Sequence, residues 1–267
     1  MSNIKNPKEI KQILVGCKLT GEILEKLAKA VKPGMSTYDV DQMAEQMVKD
    51  AGGRPAFKGY TTSPEDTPFP TTICASVNEE LVHAIARKDK ILKDGDIFTI
   101  DFGMQWPFKK GEPGYFTDTA ITVAIGKIPS ETQKLLDVTR ESLWEGIRAA
   151  VPGNSVADIG KAVENYVKSQ GKYGIVRDLV GHGVGHAVHE DPRIPNYYDP
   201  RLERIKLKPG MVIAIEPMIA IGGWKVKMGD DGWTIQMADN SLCAHFEHTI
   251  VITETGNIVA TKRPNEK

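Results

Sequence analysis

Leu92-Lys93-Asp94-Gly95-Asp96-Ile97-Phe98-Thr99-Ile100-Asp101 and Leu207-Lys208-Pro209-Gly210-Met211-Val212-Ile213-Ala214-Ile215-Glu216 follow one pattern. Each has a tight turn at a glycine, then an apolar run of strand length, then an acid. They lie 115 residues apart. Two more pairs flank them in the same order. Pro33-Gly34-Met35-Ser36-Thr37-Tyr38-Asp39-Val40 resembles Pro152-Gly153-Asn154-Ser155-Val156-Ala157-Asp158-Ile159 at an offset of 119. The likeness runs on through Glu45 and Glu164, then Val48-Lys49 and Val167-Lys168. Asp118-Thr119-Ala120-Ile121-Thr122-Val123 resembles Glu247-His248-Thr249-Ile250-Val251-Ile252 at an offset of 129. Pro-Gly turns and acid-ended strands are common, but three matches in one order at similar offsets make coincidence the weaker reading. The chain reads as two related halves. A pseudo-two-fold between them would bring Asp101, Asp118, Glu216 and Glu247 to their shared interface.

The segments between these strands read as helices. Apolar residues at Ile10, Ile13, Leu14, Leu19, Ile23, Leu24 and Leu27 have helical spacing, broken by Pro33-Gly34. Ser36 or Thr37 suits the N-cap of a second helix that ends by Gly52-Gly53. Helices are also predicted over 131–149 and 156–170, and strands over 97–101 and 120–125 around a Gly/Pro-rich loop. No linker or low-complexity segment divides the 267 residues, so one catalytic-size domain over 1–267 is expected. Net charge is −1, which gives no electrostatic case for nucleic acid or an anionic membrane. Apolar runs such as 211–215 are too short to span a bilayer. The start, Met1-Ser2-Asn3-Ile4-Lys5, has no apolar secretory core, and Cys17, Cys74 and Cys243 form no C-x-x-C. A reduced, cytoplasmic protein is expected.

Four acids at one interface cannot all ionise without a cation, because like charges at close range raise one another's pKa. Two divalent ions would balance them, and a carboxylate-rich set favours Mn²⁺, Fe²⁺ or Co²⁺, with Zn²⁺ also able to bind. A single acid at a strand end is usually just solvated. That reading weakens for Glu216 and Glu247, which border Ile213-Ala214-Ile215 and Thr249-Ile250-Val251-Ile252. The six histidines are His83, His182, His186, His189, His245 and His248. Among them His182, flanked by Gly181 and Gly183, is a better ligand candidate than His186 or His245. Asp101-Phe102-Gly103 spells a kinase triplet without the kinase loops, and 181–185 lacks the dinucleotide spacing.

These motifs together resemble the methionine aminopeptidases. Gly181-His182-Gly183-Val184-Gly185 with Val188-His189-Glu190-Asp191-Pro192 resembles their histidine motif. Val212-Ile213-Ala214-Ile215-Glu216-Pro217-Met218 and Phe246-Glu247-His248-Thr249-Ile250 resemble their two glutamate motifs. Cys74-Ala75-Ser76-Val77-Asn78-Glu79 with His83 resembles the segment before the first strand. No long inserted helical domain is present, so type I fits better than type II. The resemblance implies a pita-bread α/β fold of the α+β kind: two pseudo-two-fold halves forming an antiparallel sheet backed by helices. It also implies metal ligands Asp101, Asp118, His182, Glu216 and Glu247, with Asp118 and Glu247 shared by two divalent ions (Co, Mn, Fe or Zn). Glu216 would accept a proton, His83 and His189 would contact the substrate, and Tyr60, Phe69, Cys74, His83 and Trp233 would line a methionine pocket.

The implied activity is removal of the initiator methionine before a small second residue, by attack of metal-activated water on the first peptide bond. Nascent polypeptide N-termini, at the ribosome, are the implied partners of a monomer that needs neither nucleic acid nor membrane. Several positions depart from the family pattern. Sixteen residues separate Asp101 from Asp118 where 10 are usual, which predicts a longer hairpin loop with both ligands in register. Thr117 replaces a common Gly, His186 a frequent Arg and His245 a common Gln. Residues 61–68 look inserted beside the pocket. The rival readings are an Xaa-Pro peptidase, which usually carries an extra N-terminal domain, and a non-catalytic binding protein on the same scaffold, which would have lost ligands.

Overall fold

The computed structural model describes residues 4–61, 63, 67–112 and 114–266. A nine-stranded antiparallel sheet forms its centre. Its main path runs Arg54–Pro55, Ile97–Trp106, Tyr115–Ala124, Glu247–Ile252, Val212–Ile215, Gly181–Gly183 and Glu190–Ile194. Cys74–Val77 also pairs with Ile97–Trp106, and Asn257–Val259 with Glu247–Ile252. The joint between the halves is the pairing of Tyr115–Ala124 with Glu247–Ile252.

Helices α1 (Pro7–Ala30), α2 (Thr37–Asp50), α3 (Ser130–Ala149) and α4 (Val156–Gln170) back the sheet. α1 packs on the Ile97–Trp106 and Tyr115–Ala124 hairpin and against α2, while α3 and α4 pack together in the second half. Apolar spacing explains the docked faces: α1 buries Ile13, Cys17, Ile23, Leu24 and Leu27, and α4 buries Val156, Ile159, Val163 and Val167. Among the described residues no helix is long and apolar enough to cross a membrane.

The sequence repeat has matching backbone chemistry. Ser36 caps α2 in a capping box with Asp39, and Ser155 caps α4 in a capping box with Asp158. Just before them, Gly34 and Gly153 adopt φ of +91° and +90°, a region that favours glycine. The Gly34 N–H donates to the Leu92 carbonyl (2.8 Å) and the Gly153 N–H to the Leu207 carbonyl (3.1 Å). The Gly95 N–H donates to the Ile125 carbonyl and the Gly210 N–H to that of Ile252.

One expectation is refined by the register. Ile97 lies opposite Ala124, and Val212 opposite Val251, so the returning strands are offset by 127 residues rather than 129. Ala120, not Asp118, therefore occupies the position equivalent to Glu247, and these two pair directly across the joint. The acid alignment was two residues out of step, and a two-residue slip keeps a side chain on the same face. The hairpin pairs from Ile97 and Ala124 through Trp106 and Tyr115, holds Asp101 and Asp118 in one ladder, and leaves 107–114 as the longer connection expected from the spacing. The Trp106 indole secures the end of the hairpin by donating to the Ala51 carbonyl at 3.0 Å. Pro113 in that turn lies outside the described residues, as do 1–3 of the start read for a signal and 62 and 64–66 of the stretch read as inserted.

Candidate metal centre

The sheet register assembles the acids. Asp101 is opposite Ala120 on the next strand, and Ala120 is opposite Glu247 on the one after. Directly opposed residues point to the same face, so these three form a row with Asp118 two residues along the middle strand. Ala120, fully buried, places only a methyl group at the centre of that row between Asp101 and Glu247. Glu216 follows the Val212–Ile215 strand, whose Ile215 lies opposite His248. His182 enters from Gly181–Gly183, paired to Val212–Ile215 through Gly183 and Ile213.

Three sets of ligand atoms converge, each within 4.8 Å: Asp118, His182 and His189; His182, Glu216 and Glu247; and Asp101, Asp118 and Glu247. His182 Nε2 is 3.5 Å from Glu216 Oε1 and 3.9 Å from Asp118 Oδ2. Its Nδ1 lies 2.9 Å from the Gly183 carbonyl, which can only accept, so the proton resides on Nδ1 and Nε2 presents a lone pair to the acids. Asp118 is held at both backbone atoms by Thr249: its N–H donates to Oγ1 at 3.2 Å, and its carbonyl accepts from Oγ1 at 2.7 Å. Asn196 donates to the Glu216 carbonyl at 3.0 Å.

The carboxylates are buried, yet Asp101 Oδ1, Asp118 Oδ1 and Glu247 Oε1 have no hydrogen-bond partner. Orphaned buried oxygens are costly, and a divalent cation would satisfy all three. The donor set of four carboxylates and one imidazole lone pair fits such ions. In the protein alone, burial and then the Glu216 charge push Asp101 up to about 7, despite the opposing effect of His245. Asp118 and Glu247 are driven well above the usual carboxylate range by burial and by neighbouring acids. Burial pushes Glu216 the same way, but the neighbouring His245 and His182 imidazoles outweigh it and hold its pKa down.

The acids lie in a cleft of about 880 Å³ that also includes Tyr60, Phe69, Cys74, His83, His189 and Trp233. The cleft thus gathers every residue that the resemblance implies for the site, but not His186, His245 or His248. Phe69 and Trp233 meet edge to face with centroids 5.3 Å apart, and the Trp233 indole donates to the Thr67 carbonyl at 3.1 Å. Cys74 pairs with Asp101 in the sheet. His83 is strained at φ +59°, and burial lowers its pKa to about 4. His189 is exposed at the cleft, with Nδ1 3.0 Å from the Tyr60 hydroxyl and its ring edge-on to His182.

Sequence reasoning overlooked Lys5. This almost fully buried lysine contacts Glu190 at 2.6 Å, and Glu190 also accepts from the backbone N–H groups of His186 and Ala187. The N-terminal strap so fixes the loop that carries His189. A single lysine near a chain start has no pattern to mark it. Ala120 was quoted only as part of the repeat, because its role depends on register.

The raised carboxyl pKa values set a pH signature. Unfolded carboxyls titrate near 4, so the folded, metal-free protein holds protons that the unfolded chain has released. Its stability is fullest below the unfolded value and falls as pH rises toward each folded pKa, to about 7 for Asp101 and beyond it for Asp118 and Glu247. His83 acts oppositely, but only between about 4 and its unfolded value of about 6.5. Raising pH from 6.5 to 8 should lower the melting temperature of chelator-treated protein, and saturating Mn²⁺ should abolish the trend. Ala120→Leu should crowd Asp101 and Glu247 and sharply reduce bound metal per chain, measured by elemental analysis, while circular dichroism stays native.

The sequence matches metallopeptidase family M24 over residues 11–254. It is 44% identical over 258 residues to a methionine aminopeptidase of Clostridium acetobutylicum, covering 97% of this chain and 98% of that protein. The crystal structure of a methionine aminopeptidase from Thermotoga maritima superimposes with a TM-score of 0.90 at 39% identity, covering 98% of this chain and all of that one. A prolidase from Pyrococcus horikoshii superimposes at 0.75 with 25% identity, and only 64% of its chain is covered. The chain belongs to metallopeptidase family M24 and, within it, to the methionine aminopeptidases.

Proposed function

We propose that the chain removes N-terminal methionine from polypeptides by hydrolysis of the first peptide bond, with a small residue preferred second. The observation that carries this reading is the row of buried, orphaned carboxylates beneath a cleft with aromatic walls, in a chain of this family. Family membership brings divalent-metal use. We assign two ions, Co²⁺, Mn²⁺, Fe²⁺ or Zn²⁺, to Asp101, Asp118, His182, Glu216 and Glu247, with Asp118 and Glu247 shared. Bound there, divalent ions supply Lewis-acid polarisation of a carbonyl and an acidified water.

The protein groups then divide the work. Glu216, the acid whose pKa is held down, is available to accept a proton near neutral pH. The Tyr60 hydroxyl, donating to Nδ1 of His189, leaves Nε2–H of that ring as a donor for the carbonyl oxygen under attack. His83, neutral at pH 7, contacts the substrate without adding charge. Tyr60, Phe69, Cys74, His83 and Trp233 enclose the methionine side chain. The finer parts of the reading are a single catalytic domain over 1–267, a cytoplasmic monomer, and nascent chains at the ribosome as substrate. An Xaa-Pro activity is the second reading, since the prolidase shares the fold; the higher identity to methionine aminopeptidases counts against it.

Metal-stripped protein should release methionine from Met-Gly-Met only after Co²⁺, Mn²⁺, Fe²⁺ or Zn²⁺ is restored, and should leave an Ala-Pro peptide intact. A Met-Leu peptide should be cut at least about tenfold more slowly. Cleavage of the Ala-Pro peptide alone would transfer the chain to the second reading. His189→Ala should lower kcat by about 10²–10³ through loss of one oxyanion donor, with bound metal unchanged. A loss of metal instead would make His189 a ligand.

A further inference from the structure

His245 is a buried histidine that the reaction above does not use. It lies on the short strand Cys243–His245, directly opposite Met218. Its backbone is clamped by Thr122, whose hydroxyl accepts from the His245 N–H at 2.9 Å and donates to the His245 carbonyl at 2.8 Å. The ring therefore stands beside Glu216, two residues before Met218. His245 Nε2 is 3.5 Å from Glu216 Oε2, while the other oxygen, Oε1, is 3.5 Å from His182 Nε2. The side chain is 2% exposed, and neither ring nitrogen makes a hydrogen bond in the protein alone. The converging donor sets do not include His245.

The ring carries a proton on at least one nitrogen. A proton on Nδ1 alone would leave a buried N–H unpaired and turn a lone pair on Nε2 toward a carboxylate. A proton on Nε2 sits on the nitrogen nearest Glu216 Oε2, 3.5 Å away. A buried, unsatisfied donor is costly and facing lone pairs add to the cost, so a proton on Nε2 is favoured.

We infer that His245 is a positioning residue for Glu216: its Nε2–H holds Oε2, so that Oε1 alone is turned to His182 and the metal centre. The inference rests on Glu216 serving in that centre, as proposed above. What His245 supplies is a buried donor, not a metal–nitrogen bond. An amide donor of similar reach should replace it, and an apolar side chain of similar volume should not.

The test pairs His245→Gln with His245→Leu and adds ¹⁵N NMR of histidine-labelled, metal-free protein, in which the resonance missing from His245→Gln identifies the ring. The expected spectrum shows the proton on Nε2, unchanged in type when diamagnetic Zn²⁺ is added to fill the centre. By calorimetry, His245→Leu should bind metal about 10–100-fold more weakly, the usual effect of losing a group that orients a ligand. It should also lower kcat with little change in KM, and His245→Gln should restore both. An Nδ1–H tautomer, or His245→Leu with wild-type metal affinity and kcat, would overturn the inference. Conversion of the ring signal to a metal-ligated one on adding Zn²⁺ would overturn it in favour of direct ligation. Should His245→Leu fail to fold, the wild-type tautomer and the His245→Gln affinities still decide. If the centre bound no metal at all, the proposed function would fail while the tautomer remained measurable.

Discussion

Three buried carboxyl groups, on Asp101, Asp118 and Glu247, share one face of adjacent strands, with Glu216 at their side. Their mutual repulsion and lost hydration are the constraint that the rest of the structure answers. Without a cation the protein answers by holding protons, which is why these pKa values rise. A sheet is suited to impose such crowding. Its ladder fixes each Cβ to within a strand spacing, and the helices behind it prevent the strands from separating. Ala120 at the centre shows the same logic from the other side: a buried methyl group where a larger side chain would crowd Asp101 and Glu247.

The surroundings are organised to keep those donors pointed. His182 is held in one tautomer by the Gly183 carbonyl, Asp118 is clamped at its backbone by Thr249, and Glu216 lies between the imidazoles of His182 and His245. The Lys5–Glu190 pair fastens the histidine loop from outside. Rigidity here costs little at the moment of reaction, because the groups are set before substrate arrives.

Much of this was legible in the sequence. Strand-end acids, Pro-Gly turns and capping serines repeat in order, and their hydrogen bonds proved equivalent at Gly34 and Gly153 and at Gly95 and Gly210. Acids beside apolar runs and a Gly-flanked histidine singled out Glu216, Glu247 and His182, whereas His83, His189, Tyr60, Phe69, Cys74 and Trp233 were named only through the resemblance to methionine aminopeptidases. What escaped was register and tertiary proximity. The alignment of Asp118 with Glu247 slipped by two residues because alternating patterns look alike after an even shift. His245 looked like a weak candidate because its neighbour Glu216 is 29 positions away in the chain.

The central claim is that the carboxylate row is a two-ion site. Anomalous scattering from crystals of this protein grown with Mn²⁺ tests it most directly. The account predicts two manganese peaks, one on either side of Asp118 and Glu247, with Asp101, His182 and Glu216 completing their shells. Peaks elsewhere, with the row left empty at saturating Mn²⁺, would contradict it.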